Sequence, residues 1–332
     1  ENLIKNTVQR TSLESKRLET PERACLGCVY GHFNSMKILV LDGSNICHRA
    51  HWAMSKTDMR SPGGDPTWAL VGMINTTVRF ITDIGPTHVV FAGDARGTSN
   101  TRRAVLPEYK AGRKETEPDL RWALDRYPEL VTECGWSFIS DPVWEADDVI
   151  ASVARWSREQ GHDCYVVTSD KDALPLIDER VKLIAPDGTR MTPKRVLDKW
   201  GVPHTLYTHM AALVGEKSDN IPGVTKVGPK TAAILINKFG DELPLVISDA
   251  EKLREAVSEK TARMIADQSG TYLRNLDLIR LRDELPVSEH LEYGDISRAD
   301  VQRGEKALYE LGMNRVVGSY RKSMRGINAS PF

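Results

Sequence analysis

From Met36 to about Trp200 short apolar strand patterns alternate with amphipathic helical ones, and this alternation limits the fold more than any other feature of the chain. Lys37–Leu41 is an apolar strand that runs into Asp42. Asp65-Pro66 reads as an N-cap with proline in the first turn of a helix, whose pattern continues to Ile84 and stops at Gly85-Pro86. Val89-Val-Phe91 is a second strand, followed by Gly93-Asp94. A helix opens at Glu145–Asp148 and runs to about Gln160. Cys164–Thr168 is another strand, followed by Ser169-Asp170-Lys171-Asp172, and Val181–Ala185 reads as one more. Strands that alternate with helices in this way build a parallel α/β sheet.

After about Val202 the strand signals fade. Thr205–Val214 reads as a helix, a Gly- and Pro-punctuated loop follows, and Pro229–Phe239 is a helix closed by Gly240. Ser248–Gln268 also reads as helical. The expected organisation is an α/β, parallel-sheet core over residues 36–200, a small all-α domain over 201–300 and a C-terminal segment over 301–332. Residues 1–35 are polar and aperiodic, and the chain begins with Glu rather than Met, so they read as a disordered extension upstream of the first strand. Cys25-Leu-Gly-Cys28 and His32 supply only three of the four ligands a structural zinc site wants.

Composition excludes several classes. Hydrophobic residues make up 40% and charged residues 27%, as in an ordinary soluble domain. No apolar run reaches the ~20 residues of a membrane helix, and no secretory signal opens the chain. Five cysteines without such a signal are expected to be reduced thiols in the cytoplasm. The formal net charge is −1, so any nucleic-acid-binding surface must be local and balanced by acids elsewhere.

Those acids fall in a pattern. Asp42 ends the first strand, Asp94 follows the second, Glu145, Asp147 and Asp148 open a helix, and Asp170 and Asp172 follow the Cys164–Thr168 strand. In an open parallel sheet the strand carboxyl ends share one edge, where ligands bind. Carboxylates gathered there repel one another unless a cation neutralises them. Oxygen ligands without nearby Cys or His select Mg²⁺ or Mn²⁺ over zinc, and two such ions about 4 Å apart suit phosphodiester hydrolysis. The plainer alternative makes each acid an N-cap or turn residue.

Two basic segments accompany the acids. Gly223-Val-Thr-Lys-Val-Gly228-Pro-Lys-Thr231 is not a Walker loop, because Pro229 separates the second glycine from Lys230. It reads as a helix–hairpin–helix: Gly223 and Gly228 shape the turn, Pro229 opens the helix, and free amides at its start receive a phosphate, aided by Lys226 and Lys230. Such a turn grips DNA backbone without reading sequence. The second segment, Arg96 to Lys114, contains Arg102, Arg103, Lys110 and Arg113, and Tyr109 is placed to stack on a base.

Six segments together resemble the 5′ nuclease family, which includes the 5′→3′ exonuclease domain of bacterial DNA polymerase I, bacteriophage 5′ nucleases and flap endonucleases. They are Leu41-Asp-Gly-Ser-Asn45, His48-Arg-Ala50, Leu106-Pro-Glu-Tyr-Lys-Ala-Gly-Arg113, Glu145-Ala-Asp-Asp148, Thr168-Ser-Asp-Lys-Asp172, and Gly215-Glu-Lys-Ser-Asp-Asn-Ile-Pro-Gly-Val224 leading into Val227–Thr231. The resemblance covers roughly Met36 to Leu281. It implies a nuclease core with a helical arch at about 96–135, followed by the helix–hairpin–helix domain. It also implies a first metal cluster of Asp42, Asp94, Glu145, Asp147 and Asp148, and a second of Asp170, Asp172, Glu216 and Asp219. Lys110 and Arg113 would stand at the base of the arch as catalytic cations, with Arg49 as a third. The Gly223–Thr231 turn would hold duplex DNA, with K⁺ as its candidate ion. The implied partner is branched, nicked or 5′-ended duplex DNA, bound by a monomer in a bacterial or phage-infected cell.

Three positions depart from the family pattern. Glu216 stands for Asp, Ala104 for an acid, and His48 for an aromatic residue. A non-catalytic DNA binder would have lost carboxylates that are retained here. A metal-dependent ribonuclease would not need the helix–hairpin–helix, and nucleotide triphosphate hydrolysis lacks its P-loop. No polymerase or proofreading domain is recognisable in the 332 residues.

Overall fold

The computed structural model describes residues 35–95, 100–291 and 296–327. Cys25, Cys28, His32 and Arg96 lie outside them. Six strands form the main sheet: β1 Lys37–Asp42, β2 His88–Ala92, β3 Ser137–Ile139, β4 Asp163–Val167, β5 Val181–Ile184 and β6 Arg190–Met191, in the order β3-β2-β1-β4-β5-β6. The first five are parallel and β6 is antiparallel. Chain direction across the sheet reverses beside β1, between β2 on one side and β4 on the other. That reversal opens a crevice at the carboxyl ends of the strands.

The helices are α1 Gly43–Met54, α2 Trp68–Ile84, α3 Asn100–Val105, α4 Pro118–Glu133, α5 Ala146–Glu159, α6 Pro193–Trp200, α7 Tyr207–Val214, α8 Pro229–Phe239, α9 Leu243–Val246, α10 Ala250–Leu253, α11 Glu259–Ala266, α12 Ser269–Ile279, α13 Ser288–Leu291, α14 Arg298–Glu310 and α15 Asn314–Ile327. Two short strands, β7 Gly215–Glu216 and β8 Ile221–Pro222, pair antiparallel between α7 and α8. No helix among the described residues is long and apolar enough to cross a membrane.

β1 is buried along nearly its whole length because both sheet faces are covered, which is why it reads as a continuous apolar run. Ile38 and Val40 enter one core with Val149, Val166, Leu213, Leu235, Ile265 and Tyr272. Leu39 and Leu41 enter the other with Ile46, Leu70, Phe91, Leu130, Leu308 and Tyr320. The all-α region is therefore no free satellite, since α7, α8, α11 and α12 share a core with one sheet face. The C-terminal segment likewise folds back, and α14 and α15 complete the layer that α1, α2 and α4 begin.

Several boundaries differ from the sequence reading. α2 starts at Trp68, after Thr67, and not at Asp65-Pro66. The Asp65 carboxylate accepts from the Ser61 hydroxyl at 2.9 Å, and Pro66 sits in a bridge with Arg60, so both belong to a closed turn before the helix. The predicted stop holds: Gly85 takes a left-handed φ of 61°. The span expected as an arch, 96–135, is divided. α4 buries Leu120, Ala123, Tyr127 and Leu130 and is a core helix, which leaves only the stretch before Glu117 to arch. The helical run expected over Ser248–Gln268 is broken between α10 and α11, where Ser258 caps a new helix by accepting from the Thr261 amide.

Candidate active site

The sheet edge brings four of the expected carboxylates to one cleft of about 620 Å³. Asp42 at the end of β1, Asp94 after β2, Asp147 in the first turn of α5 and Asp170 after β4 line it, together with Ser44, Asn45, His48, Lys110, Arg113, Lys114 and Thr116. Asp42 is pinned on both sides. Its Oδ1 accepts from the Asn45 amide at 3.0 Å and its Oδ2 from the Thr168 hydroxyl at 2.9 Å, across the β1–β4 switch. Asp94 Oδ1 accepts from the Ala146 amide at 2.8 Å, which ties the end of β2 to the start of α5.

The charges oppose one another. Burial, with Asp94 and Asp170 alongside, pushes the Asp42 carboxyl up to about 7 against the pull of its two hydrogen bonds. Burial, then Asp170, Asp42 and Asp94, raise Asp147 well above the carboxylate range, with Lys110 opposing. A second group adjoins the first. Burial, then Asp170, Asp219 and Glu216, raise Asp172 in the same way. Asp170 thus belongs to both groups, and the two aspartates of Ser169-Asp-Lys-Asp172 point their repulsion in two directions.

Cations face the acids. Lys110 Nζ donates to Glu145 Oε2 at 3.0 Å, Arg113 Nη2 to Asp219 Oδ1 at 2.8 Å, and Lys171 Nζ to Glu216 Oε2 at 2.9 Å. Glu216 also accepts from the Ser218 hydroxyl at 2.7 Å. Burial works to raise its pKa, but Lys171 and Ser218 prevail and hold it low. The extra methylene of Glu216 is thus spent on reaching Lys171. Among the described residues no three His, Cys, Asp or Glu side chains are gathered closely enough to hold an ion as they stand. Like charges keep apart, and the lysines and arginine take up part of the set. The donors still suit a hard divalent cation: they are all carboxylate oxygens, and burial beside like charge is a penalty that a cation removes.

Four expected site residues are placed otherwise. Asp148 turns away from the cleft. It takes Arg102 Nη1 and Nη2 at 2.8 Å each, the Arg282 amide at 2.9 Å and the Glu145 amide at 3.1 Å, so its oxygens are fully engaged. Arg102, expected on DNA, is 6% exposed and also binds Glu145 Oε2 and the Leu278 carbonyl. Tyr109, expected to stack on a base, is 3% exposed, and its hydroxyl donates to Glu145 Oε2 at 3.1 Å. Arg49 is exposed on α1 and is not among the residues lining the cleft; Thr189, with Arg49 contributing, holds the Asp187 carboxyl low. Glu145 stays at the border, bound by Arg102, Tyr109 and Lys110. Arg103 is exposed and donates to the Tyr109 carbonyl at 3.3 Å.

The turn around Gly223 sits against this site. Gly215 and Gly223 approach so closely, backbone to backbone, that neither has room for a Cβ. Gly228 is unlike them, with open space around it, and the left-handed residue of the turn is Lys226, at φ 62°. Lys226 and Lys230 are exposed, and Thr231 is half-buried in the first turn of α8. Residues that the sequence did not single out hold the turn from behind. Asn275, fully buried on α12, donates to the carbonyls of Ala212 and Pro222 at 3.0 and 2.7 Å, and Gln268 Oε1 accepts from the Thr225 amide at 2.9 Å. Asn220 donates to the Glu108 carbonyl at 2.9 Å, while the Lys110 amide donates to the Asp219 carbonyl at 2.9 Å. The Glu108–Lys110 segment is therefore docked on the loop that leads into the Gly223 turn. Asn220 stood inside a recognisable segment, but its partner lies 112 residues away.

Residues 37–201 match the 5′-3′ exonuclease, N-terminal resolvase-like domain, and residues 202–302 match the 5′-3′ exonuclease, C-terminal SAM fold. DNA polymerase I of Mycobacterium tuberculosis is 33% identical over 258 residues, 76% of this chain and 28% of the relative. Thermostable DNA polymerase I of Thermus aquaticus is 30% identical over 251 residues, 76% of this chain and 29% of the relative. The chain thus spans less than a third of these relatives. Among solved structures, bacteriophage T5 5′-exonuclease with bound zinc ions superposes with a TM-score of 0.60 at 19% identity, over 88% of this chain and 99% of that one. Human GEN1 in complex with Holliday junction DNA gives 0.58 at 13% identity, over 87% and 71%. At these identities the structural likeness concerns the fold.

Proposed function

The chain belongs to the 5′-3′ exonuclease family, and from that premise we propose that it is a divalent-metal-dependent nuclease that hydrolyses phosphodiester bonds at 5′ ends, flaps or nicks of DNA. The observation that carries this reading is the convergence of Asp42, Asp94, Asp147 and Asp170 with Lys110, Arg113 and Lys114 in one cleft. These aspartates would hold one divalent ion, and Asp170, Asp172, Asp219 and Glu216 a second. Bound Mg²⁺ or Mn²⁺ would supply charge neutralisation, activation of water and stabilisation of the leaving oxygen. The protein's own cations attract and orient the phosphate. The exposed Lys226 and Lys230 would hold the duplex by its backbone, and K⁺ remains a candidate ion at that turn. The substrate class is read from these groups together with the GEN1–DNA and T5 exonuclease neighbours. Cleavage of 5′-flap, nicked-duplex, single-stranded DNA and RNA, with Mg²⁺ and with chelator, tests the reading. Metal-dependent cleavage of flap or nicked DNA is expected; undiminished cleavage in chelator, or none of DNA, overturns it.

Lys110 lines the cleft, and its side chain is 12% exposed. Lys110→Ala is expected to lower single-turnover cleavage of a 5′ flap about a hundredfold, some 3 kcal/mol, by analogy with loss of a donor to developing charge. Binding should change far less, because one lysine is a small part of a phosphate-binding surface. Glu145 keeps Arg102 and Tyr109 as partners, so the variant should fold. An effect confined to the dissociation constant would make Lys110 a docking residue.

Lys226→Ala and Lys230→Ala are expected to weaken duplex binding equally for all sequences. Each should flatten the slope of log affinity against log salt by about one, the release of one counterion. Salt titrations on two unrelated duplexes check this; a loss on one duplex alone would mean base contact.

A further inference from the structure

α15 has a surface that the function above does not use. The helix contains Arg315, Arg321, Lys322 and Arg325 and no acid. Its inner side, Val316, Val317, Tyr320, Ser323 and Met324, is buried, and the Tyr320 hydroxyl donates to the Cys134 carbonyl at 3.0 Å, so the helix is anchored. Its outer side presents Arg315, Gly318, Ser319, Arg321, Lys322, Arg325 and Gly326. The acids of the neighbouring α14 are already paired: Asp300 with Arg303, Glu305 with Arg321 and Glu310 with Lys306. Among the described residues Arg315, Lys322 and Arg325 take part in no ion pair. Arg325 helps Arg321 hold the Glu305 carboxyl low, yet in a chain with a formal net charge of −1 this face is still a local excess of positive charge.

Its position adds the second observation. Lys226 and Lys230 belong to the hairpin whose helices share a core with Ile38 and Val40. α15 shares its core with Leu39 and Leu41, on the other face of the same sheet. The Arg315 end of α15 follows Gly312, which abuts Arg60–Pro62. That loop leads into Trp68, whose indole donates to His51 on α1 at 3.2 Å, and α1 begins at the cleft. Two basic grips thus stand on opposite sides of the sheet, with the cleft at the edge between them. A nicked or flapped DNA has two duplex arms, one for each side of the sheet.

We propose that the outer face of α15, through Arg315, Lys322 and Arg325, binds the phosphate backbone of the second duplex arm, the one not held by the hairpin. A helical rise of ~1.5 Å per residue sets Arg315 and Arg325 about 15 Å apart, long enough to follow several phosphates of a strand with one charge per ~3.4 Å. Gly318, Ser319 and Gly326 keep the face low between the cations. The inference rests on the nuclease reading for its ligand. Residues beyond 302 lie outside both matched family domains.

The test uses the full chain and the variant Arg315→Gln/Lys322→Gln/Arg325→Gln. Affinity is measured against salt for a two-arm nicked flap and for a one-arm duplex with a single-stranded 5′ tail. The substitutions lie on an exposed face, so thermal melting should be unchanged. For the two-arm DNA the slope of log affinity against log salt should fall by about two to three, and affinity at moderate salt by tenfold or more. The one-arm substrate should be bound as by the wild type. Equal losses on both substrates would place α15 on the same arm as the hairpin and overturn the proposal. So would no loss on either, with cleavage by the wild type intact. A wild type that binds and cleaves neither DNA would instead refute the nuclease reading itself.

Discussion

Replacing Asp170 and Asp172 together with asparagine is expected to abolish cleavage, a loss of more than about a thousandfold or some 4 kcal/mol in the barrier, while the protein stays folded and bound to DNA. The charge of Asp170 is felt by both groups, by Asp42 and Asp147 on one side and by Asp172 on the other. Asparagine keeps the Oδ1 that accepts from the Asp172 amide at 2.9 Å, so the turn after β4 survives. It removes two charges from a site where buried carboxylates repel one another, so the melting temperature should hold or rise. Removing anions also lessens repulsion of phosphate, and affinity should stay within about tenfold or tighten. Single-turnover rates and equilibrium binding on one 5′-flap substrate separate the two effects. Unchanged turnover would remove Asp170 and Asp172 from the reaction; lost binding with intact melting would make them part of the DNA surface.

What could be read in the sequence and what could not divides along physical lines. Asp42, Asp94 and Asp170 were legible because a parallel sheet puts the ends of its strands on one edge, and each follows a strong strand signal. Local order could not decide which acid of Glu145-Ala-Asp-Asp148 faces the cleft. Consecutive helical residues point about 100° apart, so Asp147 and Asp148 must diverge, and the choice is made by Arg102 and by the Arg282 amide 134 residues away. Tyr109 looked like a stacking residue for the same reason: its neighbours in sequence are basic, while its neighbours in space are Glu145 and Asp219. The Gly223 turn was legible as a turn, but its left-handed position falls on Lys226 and on neither of the two glycines read as shaping it. β3 has three residues, too few for a periodicity to register. α14 and α15 were missed as part of the core because their partners, α2 and α4, lie more than 150 residues earlier.

Arg102→Met is expected to destabilise the protein by about 3–5 kcal/mol, the usual result of removing one partner from a buried ion pair. The guanidinium makes four hydrogen bonds, two to Asp148, one to Glu145 and one to the Leu278 carbonyl, and so joins α3, the start of α5 and the end of α12. Methionine fills part of the volume but leaves Asp148 and Glu145 buried with too few donors. Arg102→Lys should rescue little, because a single ammonium cannot reproduce the fork that spans both carboxylates and a carbonyl. Adding Asp148→Asn to Arg102→Met should recover part of the loss, since it removes the charge left without its partner. Urea denaturation of the four proteins measures these differences. The same arrangement fixes what Arg102 should not do. A residue 6% exposed cannot release a counterion from DNA, so the salt dependence of binding by folded Arg102→Lys should match the wild type. If stability is unchanged and the salt slope falls by about one, Arg102 contacts phosphate after all, and the anchoring of α3 over the start of α5 must come from elsewhere.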